Sequence, residues 1–324
     1  MGLGLKVLFL PNPKILQPWQ NDVVAAVGAR NDLKIFDYDS ALRAQFDGID
    51  VVIDFGGAMG TRPMADVAQS VKLWQILGTG FDHFDLAYWK QKKIPVANCP
   101  GEFTAIPLAE CAMMYMLMLS RQWTQSQHSV QTGRFCVPCG TELFGRTLAL
   151  IGFGSSAREL AHRARAFGMR ILAIDIREIS LAEKKEFGLE FAGKPEDLNQ
   201  LLSLGDYVSL HLHLNEETRH MIGGSQIRLM KPSACLINVA RGGLVDEKEL
   251  YLALSEGRIA GAGLDVFDVE PVDPNHPLVK LPNVVATPHI AGVTADTSKR
   301  RAACAAHNID LVAQGKEFLY RIDQ

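Results

Sequence analysis

The chain contains 324 residues, with 33 Lys and Arg, 36 Asp and Glu, and a hydrophobic fraction of 48%. These values are typical of a globular protein with a full apolar core, and the length predicts about two domains. The net charge of −3 lacks the positive excess that binding to nucleic acid or to an anionic membrane requires. We therefore expect neither kind of partner.

The sequence shows no pattern of a membrane span or of a secretion signal. The longest apolar run, residues 108–119, is interrupted by Glu110, whereas a membrane-spanning helix needs about 20 apolar residues. Pro11 and Pro13 follow a short apolar start, which is too short for a signal peptide. Six cysteines without a regular spacing fit a reducing compartment. We expect a cytoplasmic protein.

Short apolar segments alternate with helical periodicity along the first hundred residues. Strands are predicted at residues 6–10, 33–37, 51–54 and 73–77. A helix is predicted over residues 19–27, and a long apolar helix from about residue 104 to residue 130. A second series follows, with strands at residues 147–151, 171–174, 207–210, 234–239, 259–264 and 283–286. Together with a final helix over residues 295–314, this alternation predicts an α/β fold with mostly parallel sheets.

A glycine-rich turn follows the first strand of the second series. Gly152-Phe153-Gly154-Ser155-Ser156-Ala157 has the spacing Gly-x-Gly-x-x-Ala between a strand and a helix. Gly152 allows a tight turn, Gly154 allows close approach of a pyrophosphate, and Ala157 allows the helix to pack on the strand. The helix N-terminus would face the phosphates, and the two serines could donate hydroxyl hydrogen bonds. This pattern predicts a dinucleotide site.

Asp175 ends the next strand, about 20 residues downstream of the turn, where a carboxylate accepts hydrogen bonds from the adenosine ribose. A carboxylate there also repels the 2′-phosphate of NADP. Asp175 therefore favours NAD, whereas the nearby Arg177 leaves NADP as an alternative.

Three further segments place polar side chains directly after predicted strands. They contain Arg241, then Asp265 and Glu270, and then His289. Ligands of parallel α/β sheets bind at the carboxyl ends of the strands, so these side chains could converge there. Arginine can hold a carboxylate through two hydrogen bonds, and histidine can donate a proton near neutral pH. A carboxylate beside the imidazole favours its charged form. This combination suits the reduction of a carbonyl group.

Taken together, these motifs resemble the D-isomer-specific 2-hydroxyacid dehydrogenase family, which includes glyoxylate/hydroxypyruvate reductases and phosphoglycerate dehydrogenases. The resemblance spans nearly the whole chain and rests on residues 78–82, 108–110, 152–157, 238–243, 265–271 and 287–289. The Asn238-Val239-Ala240-Arg241-Gly242-Gly243 run and the Glu270 and His289 pair are its most specific parts.

The resemblance implies an NAD-dependent interconversion of a 2-keto acid and a D-2-hydroxy acid, with three catalytic residues. Arg241 would hold the substrate carboxylate, His289 would protonate the carbonyl oxygen as hydride arrives, and Glu270 would keep His289 charged. Asp265 would contact the nicotinamide. The cofactor would be bound by Thr104, Gly152, Phe153, Gly154, Ser155, Ser156, Asp175, Asn215, Thr218, Val239, Ala240, Arg241, Asp265 and His289. The substrate would be bound by Gly56, Gly57, Gly78, Thr79, Gly80, Arg241 and His289.

The resemblance also implies two Rossmann-like, doubly wound domains, with the nucleotide domain inserted in the smaller one. The expected boundaries are residues 1–100 plus 295–324 for a flavodoxin-like substrate domain, and residues 101–294 for the NAD-binding domain. The apolar helix that follows residue 104 carries Met113, Met114, Met116 and Met118. This helix, together with the family resemblance, predicts a homodimer.

Several alternatives remain open from the sequence. Corepressors of the C-terminal-binding-protein type share the fold and the Arg, Glu and His trio, so a binding protein without turnover is the rival hypothesis. Among substrates, hydroxypyruvate or glyoxylate is favoured over phosphoglycerate, because the loop after residue 54 contains a single cation, Arg62. Cys136 and Cys139 have the spacing of a metal knuckle, but no second pair accompanies them, and no metal is expected. Finally, Ala157 and His213 depart from the usual family pattern.

Overall fold

The computed structural model describes residues 4–13, 18–57 and 59–324. The chain divides into two compact units. The first unit comprises Met1–Thr104 and Thr294–Gln324, and the second comprises Ala105–Val293. The second unit is therefore inserted in the sequence of the first. Within the described ranges, no helix is both long and apolar enough to cross a membrane.

A five-stranded sheet forms the centre of the first unit. Its strands are β1 (Lys6–Leu10), β2 (Asp32–Ile35), β3 (Val51–Asp54), β4 (Leu73–Ile76) and β5 (Val96–Ala97). They are arranged in the order β2-β1-β3-β4-β5, and every pairing is parallel. This is the strand order of a flavodoxin-like sheet. The connecting helices are α1 (Pro18–Gly28), α2 (Leu42–Gln45), α3 (Arg62–Val67) and α4 (Leu86–Gln91).

Seven parallel strands form the sheet of the second unit. They are β6 (Thr147–Ile151), β7 (Arg170–Ile174), β8 (Leu189–Gly193), β9 (Tyr207–Leu210), β10 (Cys235–Asn238), β11 (Gly261–Leu264) and β12 (Val284–Ala286). Their order is β12-β11-β10-β9-β6-β7-β8. The order reverses at β6, and a nucleotide binds at such a reversal in open α/β sheets. The predicted glycine turn follows directly after this strand.

Helices cover the second sheet, and one further helix returns to the first unit. Those of the second unit are α5 (Ala105–Ser120), α6 (Trp123–Gln131), α7 (Ser155–Ala166), α8 (Leu181–Phe187), α9 (Leu198–Leu204), α10 (Gly224–Ile227) and α11 (Glu247–Ser255). The last helix, α12 (Ala295–Ala313), belongs to the first unit. On it, the buried Asn308 amide donates to the Gln75 side chain over 2.7 Å and exchanges hydrogen bonds with the backbone of Leu319. The C-terminal segment is thereby fixed to its own unit.

Both sheets are buried on their two faces. In β6, for example, Leu148 and Leu150 belong to one apolar cluster, whereas Ala149 and Ile151 belong to the cluster on the opposite face. Alternating side chains point to opposite faces of a strand, so a sheet covered on both sides produces a continuous apolar run in the sequence. The prediction of two doubly wound parallel sheets is therefore confirmed.

The structure corrects the sequence prediction at three places. The long helix predicted for residues 104–130 is two helices, because Gln122 adopts a left-handed conformation with φ +48° between α5 and α6. Strand β5 was not predicted because it is two residues long. Strand β8 was also missed, because it is an edge strand whose residues are half-buried or exposed, without a strong apolar run.

Candidate functional site

The glycine turn after β6 has the geometry of a dinucleotide site. Gly152 adopts φ +86°, and a Cβ atom there would collide with the main-chain carbonyl of His211. At Gly154, the N-cap of α7, a Cβ atom would meet no neighbour within 4 Å. No side chain caps α7, and the space beside Gly154 is open, so an anion there could accept hydrogen bonds from the N–H groups of the first turn. Here the described residues fit a pyrophosphate.

The two serines of the turn differ in their surroundings. Ser155 is exposed. The Ser156 hydroxyl is 2.9 Å from Nδ1 of His211, whose Nε2 lies 3.0 Å from the Ser209 hydroxyl. Burial lowers the pKa of His211 to about 3, so its imidazole is neutral. Ser156 is thus a partner of His211 in this structure, and its predicted contact with the cofactor stays a prediction.

The Asp175 carboxylate lies against the glycine turn. It accepts hydrogen bonds from the main-chain N–H groups of Phe153 (2.6 Å) and Arg177 (2.9 Å). The Arg177 guanidinium donates to the Phe153 carbonyl over 2.8 Å and forms an ion pair with Glu183 over 2.9 Å. Glu183 also pairs with Arg158, and the bond from Arg177 lowers the pKa of Glu183 to about 2. Both guanidinium groups therefore share one carboxylate as their ion-pair partner.

Asn215 and Thr218 close a turn after β9. The main-chain N–H of each residue donates over 2.9 Å to the side chain of the other, and the Thr218 hydroxyl donates to the His213 carbonyl over 2.8 Å. These bonds are internal to the turn. The roles predicted for both residues in binding the cofactor remain predictions.

Strand β10 ends in a turn that is held by the Asn238 side chain. Its Oδ1 accepts from the Ala240 N–H over 3.1 Å, and its Nδ2 donates to the Arg241 carbonyl over 2.8 Å. Val239 and Ala240 are buried, and the Arg241 guanidinium donates to the Ala240 carbonyl over 2.8 Å. The asparagine therefore fixes the backbone from which Arg241 extends.

Asp265, which follows β11, is 1% exposed. Its Oδ1 accepts hydrogen bonds from the Thr287 hydroxyl (2.5 Å) and the Ile290 N–H (2.8 Å), and its Oδ2 accepts from the Ala291 N–H (2.8 Å). Its main-chain carbonyl accepts from the His289 N–H over 2.7 Å. Asp265 thus holds the whole segment that carries His289. Its predicted contact with the nicotinamide stays a prediction.

His289 and Glu270 form a close polar pair in the site. The His289 Nδ1 atom is 2.6 Å from Glu270 Oε2, and Glu270 Oε1 accepts from the Phe267 N–H over 3.0 Å. Burial would raise the pKa of Glu270, but the bond to His289 and the nearby charge of Arg241 hold that pKa below its usual value. Because Glu270 occupies Nδ1, Nε2 is the atom that can donate a proton. The His289 side chain is 49% exposed, which leaves it accessible to a substrate.

The remaining predicted residues lie in the first unit. Gly56 and Gly57 adopt φ +89° and +79° after β3. Their loop is held by the buried Asp54 carboxylate, which accepts from the N–H groups of Gly57 (3.0 Å) and Gly60 (2.9 Å). Gly78, Thr79 and Gly80 follow β4, and the Thr79 hydroxyl is 3.3 Å from that of Thr104. Sequence reasoning did not identify Asp54 as the residue that holds this glycine loop, or Asn238 as the residue that holds the turn after β10. Both are polar residues that end an apolar strand, which was the available signal.

Comparison with known proteins agrees with this geometry. The model of the D-isomer specific 2-hydroxyacid dehydrogenase, NAD binding domain, matches residues 113–291. The chain is 39% identical to a glyoxylate reductase of Korarchaeum cryptofilum over 258 residues, which cover 78% of this chain and 76% of that protein. It is 38% identical to a hydroxypyruvate reductase of Thermotoga maritima, with 78% and 81% covered. The chain belongs to the D-isomer-specific 2-hydroxyacid dehydrogenase family.

A solved structure extends the similarity to nearly the whole chain of this dehydrogenase. A D-lactate dehydrogenase of Aquifex aeolicus, in complex with NAD and lactic acid, superposes with a TM-score of 0.80 at 29% identity and covers 96% of both chains. The predictions of the family, of an enzyme of this class and of a nicotinamide-dinucleotide-binding domain are thereby confirmed.

The two glycines of the turn provide a matched pair of variants. Gly152→Ala should lower the free energy of unfolding by more than about 1 kcal/mol, because it combines a left-handed backbone with a collision. Gly154→Ala should leave the free energy of unfolding within about 0.5 kcal/mol of the parent, but weaken NADH binding about tenfold or more by filling the phosphate site. Chemical denaturation and fluorescence titration measure both effects. Unchanged NADH affinity in Gly154→Ala would contradict the assigned phosphate site.

Proposed function

We propose that this dehydrogenase reduces a small 2-keto acid to the D-2-hydroxy acid, and catalyses the reverse reaction, with NAD(H) as cofactor. The observation that supports this most strongly is the Glu270–His289 pair beside Arg241, after three neighbouring parallel strand ends. A proton donor and a carboxylate-binding cation are the two groups that a 2-keto acid needs. Bound NADH would supply the hydride.

Each residue of the trio has a distinct task in this proposal. The Arg241 guanidinium binds the substrate carboxylate and turns the adjacent carbonyl group towards the imidazole. His289 donates the proton of Nε2 to the carbonyl oxygen in reduction and takes it back in oxidation. Glu270 accepts the hydrogen bond of Nδ1 and stabilises the positive charge of the imidazolium. The Asp265 bonds keep this imidazole in place throughout.

We assign the acid-binding role to the first unit and the NAD-binding role to the second, with the boundaries expected from the sequence near residues 100 and 294. Gly78, Thr79 and Gly80 would offer main-chain N–H groups to the substrate. The N–H groups of Gly56 and Gly57 already donate to Asp54, so these two glycines would shape the loop beside the substrate. Arg62, the cation of that loop, is paired with Asp85 over 2.5 Å. This pairing supports glyoxylate or hydroxypyruvate over a phosphorylated acid.

The rival hypothesis, a corepressor without turnover, is not favoured, because the similar proteins described above are named as reductases and a dehydrogenase.

The homodimer remains a proposal. It is supported by exposed apolar side chains of the second unit, which include Met114, Leu117, Phe135 and Phe144.

The charges beside Asp175 support NAD as the preferred cofactor. A 2′-phosphate needs cations, whereas Arg177 and Arg158 are both paired with Glu183. Asp175 adds a negative charge at the same edge. Its carboxylate oxygens, which accept from the main-chain N–H groups of Phe153 and Arg177, would also accept hydrogen bonds from the ribose hydroxyl groups. A 2′-phosphate would therefore have to compete with Glu183 for both guanidinium groups, and it would face the negative charge of Asp175.

His289→Ala tests the assigned proton donor. The rate of keto-acid reduction should fall about 10²- to 10⁴-fold, because general acid catalysis contributes a factor of this size. The affinity for NADH should change less than about threefold, because the glycine turn is untouched. Stopped-flow absorbance with hydroxypyruvate and glyoxylate measures the rate, and fluorescence titration measures the affinity.

His162→Ala is the matched control for this variant, because His162 is exposed on α7. It should retain the parent rate within about twofold. Turnover by His289→Ala within a few-fold of the parent would show that another group donates the proton.

Asp175→Ala tests the cofactor preference. The ratio of kcat/KM for NADPH to that for NADH should rise about tenfold, because the variant removes a negative charge and a ribose acceptor. Initial rates with each cofactor measure this ratio. Glu190→Ala is the control, since Glu190 lies near the amino end of β8 and pairs with Arg170. An unchanged ratio in Asp175→Ala would assign the preference to other residues.

A further inference from the structure

A buried tyrosine of the second unit extends the hydrogen bonds that hold the His289 segment. Tyr115 lies on α5 and is 0% exposed. Its hydroxyl forms a short hydrogen bond with the Thr287 hydroxyl, and Thr287 Oγ1 is 2.5 Å from Asp265 Oδ1. A continuous chain of hydroxyl groups therefore connects a core helix to the carboxylate that fixes His289.

The donor and acceptor of each of these hydrogen bonds follow from the number of hydroxyl protons available. A carboxylate accepts hydrogen bonds, so the single hydroxyl proton of Thr287 is donated to Asp265. Thr287 can then act towards Tyr115 only as an acceptor, and Tyr115 donates its phenol proton to Thr287. Burial, with the nearby charge of Asp265, raises the pKa of Tyr115, so the phenol keeps this proton. Each donor polarises the next, which strengthens both bonds in a buried site.

Two neighbours of Tyr115 define the surroundings of its side chain. The Cys111 thiol, one turn earlier on α5, contacts the Tyr115 and Thr287 hydroxyls, and burial raises the pKa of this thiol to about 12. On the sheet side, a Cβ atom at Gly263 would lie 2.6 Å from the Cβ and Cγ atoms of Tyr115. The glycine in β11 therefore provides the space that the phenol ring occupies.

The segment that receives this support carries a strained residue. His289 adopts φ +56°, in the left-handed region that a side chain disfavours. The conformation persists because Asp265 binds the N–H groups of Ile290 and Ala291 and the Thr287 hydroxyl. If Thr287 rotates away, Oδ1 of Asp265 loses its shortest bond and the imidazole loses a constraint on its position.

We propose that Tyr115 is a positioning residue for the reaction, which orients Thr287 and Asp265 so that His289 points its Nε2 atom at the substrate carbonyl. The inference rests on the proposed function, because it assigns Tyr115 a role through His289. Tyr115 touches neither substrate nor cofactor in this account. A merely structural tyrosine would instead fill space, and its hydroxyl would be dispensable for turnover.

Tyr115→Phe removes the hydroxyl and retains the ring. We expect kcat for keto-acid reduction to fall about tenfold, whereas the KM for the keto acid and the Kd of NADH stay within twofold, because Arg241 and the glycine turn are unaffected. Tyr207→Phe is the matched control: Tyr207 is also buried in the second unit, bonded to Thr141 and Ser120, at the amino end of β9. It should leave kcat within twofold.

A set of Thr287 variants separates positioning from packing. Thr287→Val should lower kcat at least as much as Tyr115→Phe, and Thr287→Ser, which keeps the hydroxyl, should restore most of the rate. The double variant Tyr115→Phe/Thr287→Val should be no slower than Thr287→Val alone, because both hydroxyls act through one chain. Circular dichroism at the assay temperature verifies that each variant is folded.

The outcomes distinguish this inference from the proposed function. If the parent turns over keto acids but Tyr115→Phe matches it within twofold, or if the two losses multiply in the double variant, the positioning role is overturned. If the parent binds NADH and turns over no keto acid, the proposed function fails, and the role of Tyr115 in it fails as well. A fall in kcat without a change in KM, together with non-additive losses of kcat in the double variant, supports both the positioning role of Tyr115 and the proposed function.

Discussion

The buried carboxylate of Asp265 is the interaction on which the candidate site depends. It stands at the end of a strand inside a seven-stranded parallel sheet, and it receives three hydrogen bonds from the segment that follows the next strand. A buried carboxylate is stable when its oxygens are fully bonded. The same bonds offset the unfavourable backbone of His289. The placement of the imidazole therefore depends on one buried residue.

The other strand ends repeat this arrangement with different partners. Asp175 binds one main-chain N–H group of the nucleotide turn and one of the turn that follows β7, and Asp54 binds those of the glycine loop in the first unit. Asn238 does the same with its amide after β10. In each case a polar side chain at the carboxyl end of a strand shapes the loop that follows. In both units, hydrogen bonds from the main chain to such a side chain organise a loop before any ligand is bound.

Much of the architecture was predictable because both sheets are covered on two faces. Buried parallel strands such as β6 and β3 produce uninterrupted apolar runs, and the glycine turn follows from the tight geometry after β6. The edge strand β8 and the short strand β5 lack such a run, and the break at Gln122 depends on a backbone conformation without a glycine or proline signal. Residue patterns alone therefore predict the core strands better than the edges.

The site was predictable to a different extent. Arg241, Glu270 and His289 are recognisable because three polar residues follow three apolar strands. The contacts that support these three residues were not predictable, because they join residues that are far apart in the sequence. Tyr115 and Thr287 are 172 positions apart, and the pairing of Arg177 with Glu183 depends on how α8 begins. One signal was available for Tyr115, since it is the single aromatic residue in the apolar helix α5.

A crystal structure of the protein with NAD⁺ and oxamate, an unreactive analogue of a 2-keto acid, would show whether His289 is the proton donor. We expect the oxamate carboxylate to bind the Arg241 guanidinium, with its carbonyl oxygen about 3 Å from Nε2 of His289. The Asp265 bonds to the His289 segment should be unchanged. Oxamate bound beside the nicotinamide without contact to His289 would contradict the account, because the proton would then come from another group.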